Sequence, residues 1–80
     1  MRIADRIELN TKIHHGKPVI EGTRVPVHMV LGLLGSGLTA EEIIRDYYDH
    51  IRKEDILACI RYANSLVEGE EVYAITVTNA

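Results

Sequence analysis

The fold is decided by Leu38-Thr39-Ala40-Glu41-Glu42-Ile43, a stretch near the middle of the chain. Thr39 is a strong helix N-cap, and Glu42 follows it by three residues, so that the two can form a capping box. Leu38 and Ile43 have the spacing of the hydrophobic staple that accompanies such a start. The stretch therefore predicts a helix that ends near Tyr48 and has these inward-facing residues: Ile43, Ile44 and Tyr47.

The same pattern returns thirteen residues later, at Ile51-Arg52-Lys53-Glu54-Asp55-Ile56. Ile51 and Ile56 again have the staple spacing. Arg52 stands at the cap and its side chain has no acceptor, so this start is weaker by about 1 kcal/mol. The helix is predicted to run to about Leu66 and to be ended by Gly69. Its predicted inner face consists of Ile56, Leu57, Ile60, Ala63 and Val67.

Another helix is predicted upstream, beginning at Val27 after Pro26 and ending before Gly37. Its apolar residues recur at helical spacing: Val27, Val30, Leu31 and Leu34. Residues 27–67 therefore predict a three-helix, homeodomain-like helix-turn-helix bundle. In that arrangement Thr39–Tyr48 is the support helix and Lys53–Leu66 is the recognition helix.

Extended segments flank this core. Residues 1–26 combine a strand-like alternation at Arg6–Asn10 with turn residues, which predicts a short strand and an N-terminal β-hairpin. The structural positions of the chain are expected to be Gly16, Pro18, Gly22 and Thr23 in the hairpin and Thr39 and Glu42 at the helix start. Residues 70–78 alternate again and predict a C-terminal strand, which needs a partner to pair with. The 80 residues correspond to a single, mostly α domain.

Composition limits the class of protein. The chain is 46% hydrophobic but has no Phe or Trp, so its small core is of the kind that association often completes, and we expect a homodimer. A single cysteine, Cys59, and charges at the start in place of a signal peptide indicate a cytoplasmic protein. The longest apolar stretch, residues 25–38, is too short to span a membrane.

Charge bears on nucleic-acid binding. The net charge is −3, and the exposed face of the last helix is predicted to hold Glu54, Asp55, Ala58, Arg61, Tyr62 and Ser65. Two acids would then occupy the end of a recognition helix that usually meets the bases, and carboxylates repel phosphates. DNA binding is therefore permitted but weakly supported. Its basic contacts would be Lys17, Arg24, Arg52, Lys53 and Arg61.

The hairpin segment from Ile13 to Val25 is the most basic part of the chain, since it holds His14, His15, Lys17 and Arg24. One interpretation is a contact surface for phosphate or for an acidic partner. The other is a rigid scaffold, in which glycines supply positive φ angles and Pro18 stiffens the turn. Both interpretations stay open at this point.

Catalytic and metal-binding patterns are lacking in the sequence. His14 and His15 are adjacent and would point to opposite faces of a strand, and His28 and His50 lie on other elements with no evident carboxylate pairing. Cys59 lies at the margin of an apolar face, where a free thiol usually serves packing. We therefore expect no catalytic residue, no metal site and no cofactor, and the protein is not expected to be an enzyme.

A family resemblance adds to these expectations. The runs His15-Gly16-Lys17-Pro18-Val19-Ile20, Gly22-Thr23-Arg24-Val25 and Gly37-Leu38-Thr39 resemble the signature of the domain-of-unknown-function 433 family of bacteria and archaea. So do Asp46-Tyr47, Glu54-Asp55-Ile56 and Arg61-Tyr62-Ala63. The chain departs from the pattern at Arg52, where Ser or Thr is expected. Its tail from residue 68 onward lies beyond the signature.

The resemblance implies a VapB-like antitoxin of a type II toxin–antitoxin system. Such a protein would bind and neutralise a PIN-like ribonuclease toxin and repress its own operon by binding operator DNA. The partner would be bound by the last helix and the tail strand, through Tyr62, Tyr73, Ile75 and Val77. Two alternatives stay open: a stand-alone helix-turn-helix transcriptional regulator, and an adaptor whose dimer presents the hairpin.

Overall fold

A computed structural model describes residues 1–69 of the chain, which form a small antiparallel sheet followed by three helices. A mostly helical fold with an N-terminal sheet is therefore confirmed. The predicted strand at 70–78, with Tyr73, Ile75 and Val77, lies outside the described residues. The elements are β1 (Arg2–Ala4), β2 (Ile7–Glu8), β3 (Val19–Ile20), α1 (Val27–Gly35), α2 (Ala40–Asp46) and α3 (Lys53–Gly69).

The sheet has the order β1-β2-β3, and both strand pairs are antiparallel. Ile7 pairs with Ile20, and both side chains are buried against the helices. Within the predicted strand Arg6–Asn10, only Ile7–Glu8 is a strand, because Arg6 turns the chain with a φ of 63°. The sequence did not predict β1, since three residues are too few to show an alternation.

Hydrogen bonds hold the turn after β3. Gly22 has a φ of 77°, which favours glycine, and its N–H donates to Glu8 Oε2 at 2.7 Å. The Thr23 hydroxyl donates to the Ile20 carbonyl and accepts from the Val25 N–H. Val27, the first residue of α1, donates its N–H to the Pro18 carbonyl at 3.0 Å. The hairpin is thereby joined to the start of α1.

Helix α2 begins with a complete capping box. The Glu42 N–H donates to Thr39 Oγ1 at 3.1 Å, and the Thr39 N–H donates to Glu42 Oε1 at 2.8 Å. Bonds from Thr39 lower the pKa of Glu42. The prediction that Tyr47 is buried is wrong: α2 ends at Asp46, the backbone leaves the helical conformation at Tyr47, and that side chain is exposed.

Helix α3 begins with half of a capping box. Arg52 supplies no side-chain acceptor, as expected, but its own N–H donates to Asp55 Oδ2 at 2.9 Å. The other carboxylate oxygen, Oδ1, accepts from Arg6 Nη1 at 3.0 Å. The Asp55 side chain is only 13% exposed. The prediction of an exposed Asp55 is therefore wrong, because this carboxylate joins the start of α3 to the β1–β2 turn.

The buried face of α3 differs from the predicted one. Ile56, Ala58 and Cys59 are buried, and Tyr62 packs against them. Ala58 was predicted to be exposed. Leu57, Ile60 and Val67, which were predicted to face inward, are 43%, 43% and 67% exposed. Apolar residues occur on most sides of this helix, so the periodicity alone does not select the face, and small residues at the contact allow α3 to approach α1 and α2 closely.

The structure also bears on membrane insertion. Within residues 1–69, no single helix is long and apolar enough to span a membrane. Only α1 and α2 taken together reach the required length and apolarity, and they are bent by 120° at their junction.

Candidate binding surfaces

An exposed apolar stripe runs along α3. It consists of Leu57, Ile60 and Val67, whose spacing places them on one side of the helix, and we call it the α3 stripe. Asn64 lies on the same side between Ile60 and Val67 and is also exposed. Single exposed apolar residues are ordinary in proteins, but an aligned set on one helix is typical of an interface.

A second apolar surface lies beside the first. Pro18, Val27 and Leu31 on one wall face Tyr62, Ala63 and Leu66 of α3 on the other, around a groove of about 310 Å³. Lys17 and His28 also line it. Two of the predicted residues are therefore here: Tyr62, a predicted partner contact, and Lys17, a predicted DNA contact.

A third surface is concave and combines apolar and basic side chains. We call it the histidine concavity, and its volume is about 410 Å³. The hairpin, the start of α1 and the chain just after α2 each contribute to it. The lining residues are His14, Arg24, Pro26, His28, Met29 and Tyr48. His50 packs edge-to-face on Tyr48 with 6.4 Å between ring centroids, so a further histidine lies next to this surface.

The hairpin positions His14 in an unusual way. His14 and His15 have φ angles of 48° and 55°, in the left-handed region that non-glycine residues seldom adopt. They lie in a single 3-10 turn, His14–Gly16, and not in the strand that the sequence analysis assumed for them. His14 Nε2 lies 2.9 Å from the Arg24 carbonyl oxygen. This bond fixes the imidazole against the hairpin and offsets part of the backbone strain, which costs about 1–2 kcal/mol per residue.

The predicted DNA contacts do not form one patch. Lys17 lines the apolar groove, Arg24 lines the histidine concavity, and Arg52 and Lys53 lie at the start of α3. Arg61 is about 12 Å further along the helix than Lys53. Its guanidinium lies 3.5 Å from Asp5 Oδ2.

The basic residues fall into two groups, those that form an ion pair and those that do not. Within residues 1–69, four arginines have a carboxylate within 4 Å: Arg2, Arg6, Arg45 and Arg61. Over the same residues, no such pair involves Lys12, Lys17, Arg24, Arg52 or Lys53. These five positive charges are therefore available to a ligand or partner.

Cys59 is the buried thiol of the core. Burial, together with the nearby Asp55 charge, raises the pKa of the Cys59 thiol to about 11. The thiol is therefore protonated and poorly nucleophilic at neutral pH. In the part of the chain that the structure describes, no cluster of three or more His, Cys, Asp or Glu residues could hold a metal ion.

Sequence reasoning missed three features of these surfaces: the Asp55 hydrogen bonds, the α3 stripe, and the meeting of His28 with Tyr48. Asp55 could have been found, because it stands three residues after the cap, where Glu42 stands in α2. The other two depend on how the helices pack and leave no local pattern.

A comparison of the sequence with models of protein families identifies the family of this chain. The sequence model of DUF433, described as a protein of unknown function, matches residues 7–63. The chain belongs to the DUF433 family. The matched DUF433 region runs from β2 into α3, so it includes the whole lining of the histidine concavity and Leu57 and Ile60 of the α3 stripe, while Val67 lies beyond it. The resemblance to this family is confirmed. No curated protein and no solved structure matched the chain.

Proposed function

We propose that this DUF433 protein is an antitoxin-like binding module that neutralises a PIN-like ribonuclease toxin. The observation that carries the proposal is the α3 stripe. Leu57, Ile60 and Val67 stay exposed although the chain has no Phe or Trp to enlarge its own core. Covering such half-exposed side chains stabilises a complex by about 1 kcal/mol each, on the basis of 1.5–3 kcal/mol for a full burial.

The apolar groove beside α3 supports the same proposal. It offers a concave site for an apolar side chain of the partner, and interfaces concentrate their binding energy where such an anchor fills a pocket. Tyr62 forms part of its wall. The predicted contacts at Tyr73, Ile75 and Val77 lie outside the described residues and stay predictions. The homodimer stays a prediction that rests on the small core.

Neutralisation needs no catalysis by this chain. The nuclease chemistry would belong to the partner, and the α3 stripe would hold the two proteins together while the antitoxin blocks access to the nuclease. Because the surface is apolar, the complex should depend weakly on salt, in contrast to a contact built on phosphates.

Co-expression tests this function. The full chain is expressed with the product of the adjacent gene, and growth and co-purification are measured. We expect the wild-type chain to relieve toxicity and to co-purify. The Ser65→Asp variant, which adds a charge at an exposed polar position about 100° around α3 from Asn64 and away from the stripe, should do the same. If the adjacent product is not toxic, or if the chain neither binds nor relieves it, the antitoxin function is rejected.

One observation favours a second function, binding of operator DNA by α2 and α3 as a helix-turn-helix. The objection to it was the pair of acids at the start of α3. Asp55 is engaged by Arg6 and by the Arg52 N–H, so Glu54 is the remaining exposed acid there, beside the exposed Arg52 and Lys53.

Binding to the protein's own promoter, measured at increasing salt concentration, tests this second function. Phosphate contacts require affinity to fall as salt rises, and a Lys53→Gln change should lower that slope by about one.

A further inference from the structure

The histidine concavity has a charge opposite to that of the whole chain. The chain carries a net charge of −3, yet no Asp or Glu is among the residues that line the concavity. Its ionisable lining groups are Arg24, His14, His28 and Tyr48. Arg24 makes no ion pair within the described residues 1–69, so its guanidinium keeps its donors for a ligand. A concave surface with an arginine, two imidazoles and no carboxylate favours an anion.

The hydrogen bond of His14 determines which of its nitrogens faces a ligand. A carbonyl oxygen only accepts, so the contact with the Arg24 carbonyl places a hydrogen on His14 Nε2. Nδ1 is then the nitrogen that faces a ligand, and in the neutral ring it is an acceptor. The same bond joins the His14 ring to the backbone of Arg24, so these two residues are neighbours on the hairpin.

The opposite wall is aromatic. Tyr48 is half-buried, and His50 packs on its ring edge-to-face. An aromatic ring beside cationic groups is a surface on which a nucleic-acid base stacks while its phosphate meets the positive charge. The volume of about 410 Å³ falls within the range of small-molecule sites.

From these observations we propose that the histidine concavity binds a nucleotide unit. Arg24 donates to the phosphate, His28 adds a further contact, and Tyr48 stacks on the base. The phosphate belongs either to a free nucleotide or to a nucleic-acid strand, and the chemistry of recognition is the same for both. This site is distinct from the α3 stripe and requires neither proposed function.

Titration of the full chain followed by amide NMR tests the site. The probes are inorganic phosphate, adenosine monophosphate and a short single-stranded oligothymidine. Shifts are expected at His14, Arg24, His28 and Tyr48. Because a charge-assisted bond to phosphate is lost, Arg24→Gln should lower affinity about tenfold or more. Arg45→Gln, which removes the same charge outside the lining, is the matched control and should leave affinity within about twofold.

A second variant separates the two walls. Tyr48→Leu should weaken binding of adenosine monophosphate but leave binding of inorganic phosphate unchanged, because only the former has a base to stack. Tighter binding of oligothymidine than of adenosine monophosphate identifies a nucleic-acid strand as the source of the phosphate, and the reverse order identifies a free nucleotide. The proposal is overturned if none of the probes binds saturably, or if Arg24→Gln and Arg45→Gln have the same effect.

Discussion

Asp55 holds two parts of the fold together through one carboxylate. Its Oδ2 accepts from the Arg52 N–H at the start of α3, and its Oδ1 accepts from Arg6 in the β1–β2 turn. The side chain is largely buried, so water replaces these bonds poorly when the carboxylate is removed. The small sheet and the longest helix therefore depend on a residue that sequence reasoning assigned to solvent.

Removing this carboxylate should destabilise the protein. We expect Asp55→Ala to lower the free energy of unfolding by about 1–3 kcal/mol, because Arg6 and the Arg52 N–H both lose their acceptor. Glu54→Ala is the matched control, since it removes the same charge from the exposed neighbouring position and should change stability by less than about 0.5 kcal/mol. Urea denaturation of both variants measures the difference, and equal stabilities would contradict the structural role of Asp55.

Because the Cys59 thiol is buried, we expect the folded protein to lose stability at high pH. Burial raises the pKa of the Cys59 thiol from its ordinary value of 9.0 to about 11. The unfolded chain therefore loses this proton before the folded one does. The contribution of the Cys59 thiol to the free energy of unfolding is fully present below pH 9. It falls by about 1.4 kcal/mol per pH unit between the two pKa values.

A Cys59→Ala variant isolates this contribution from the other groups that titrate at high pH. Denaturation of both proteins is measured from pH 8 upward. The wild type should lose stability faster than Cys59→Ala above pH 9. Parallel curves would show that the thiol titrates alike in the folded and unfolded chains.

Among the helices, α2 is the one whose start is completely specified by local sequence. Both hydrogen bonds of its capping box are present. We expect Thr39→Ala to lower the free energy of unfolding by about 1 kcal/mol, because the Glu42 N–H loses its acceptor. Thr39→Ser keeps the hydroxyl and should stay near the wild type. Thermal unfolding compares the two, and an equal loss in both would assign the effect to the methyl group of Thr39.

The capping box also has a pH dependence with a definite sign. Hydrogen bonds from Thr39 lower the pKa of Glu42 below its ordinary value. The stabilisation is therefore present above that ordinary value and is lost as pH falls through the lowered pKa. Glu42→Gln, which has no carboxylate to titrate, should show a weaker dependence on acid than the wild type, which the same unfolding experiment measures when it is repeated at decreasing pH.

The elements differ in how far the sequence predicts them. The starts of α1 and α2 could be predicted because caps and turn glycines act within a few residues. The buried face of α3 could not, because Leu57 and Ile60 are as apolar as Ile56 and only packing against α1 and α2 selects between them. The prediction for Tyr47 was wrong because α2 ends at Asp46, whereas the apolar pattern continues to Tyr47.

The candidate sites follow the same division. The basic hairpin was visible in the sequence as His14, His15, Lys17 and Arg24. Its aromatic wall was not, since Tyr48 is more than twenty residues away from Arg24 and meets it only through the fold. The sequence therefore predicts the residues that the hairpin contributes to this site, but not those that distant segments of the chain bring to it.

The described part of the chain, residues 1–69, is elongated, with extents of 46 × 29 × 20 Å. Helix α3 has 17 residues and so measures about 25 Å, and its last turns, from Asn64 onward, are exposed. The histidine concavity is basic and lies between the hairpin, α1 and Tyr48, while the α3 stripe is apolar. Two surfaces of different chemistry would let one small protein bind the proposed nucleotide and the proposed protein partner separately.

The most direct test of the α3 stripe as the partner surface measures the affinity of two α3 variants for the purified protein proposed as the toxin. Isothermal titration compares Ile60→Asp with the control Ser65→Asp, which lies on α3 but off the stripe, and circular dichroism verifies that both are folded. A charge buried without a partner is costly, so Ile60→Asp should lower affinity at least about tenfold, while Ser65→Asp should stay within about threefold of the wild type. Wild-type affinity in a folded Ile60→Asp variant would contradict the assignment of the α3 stripe to the partner.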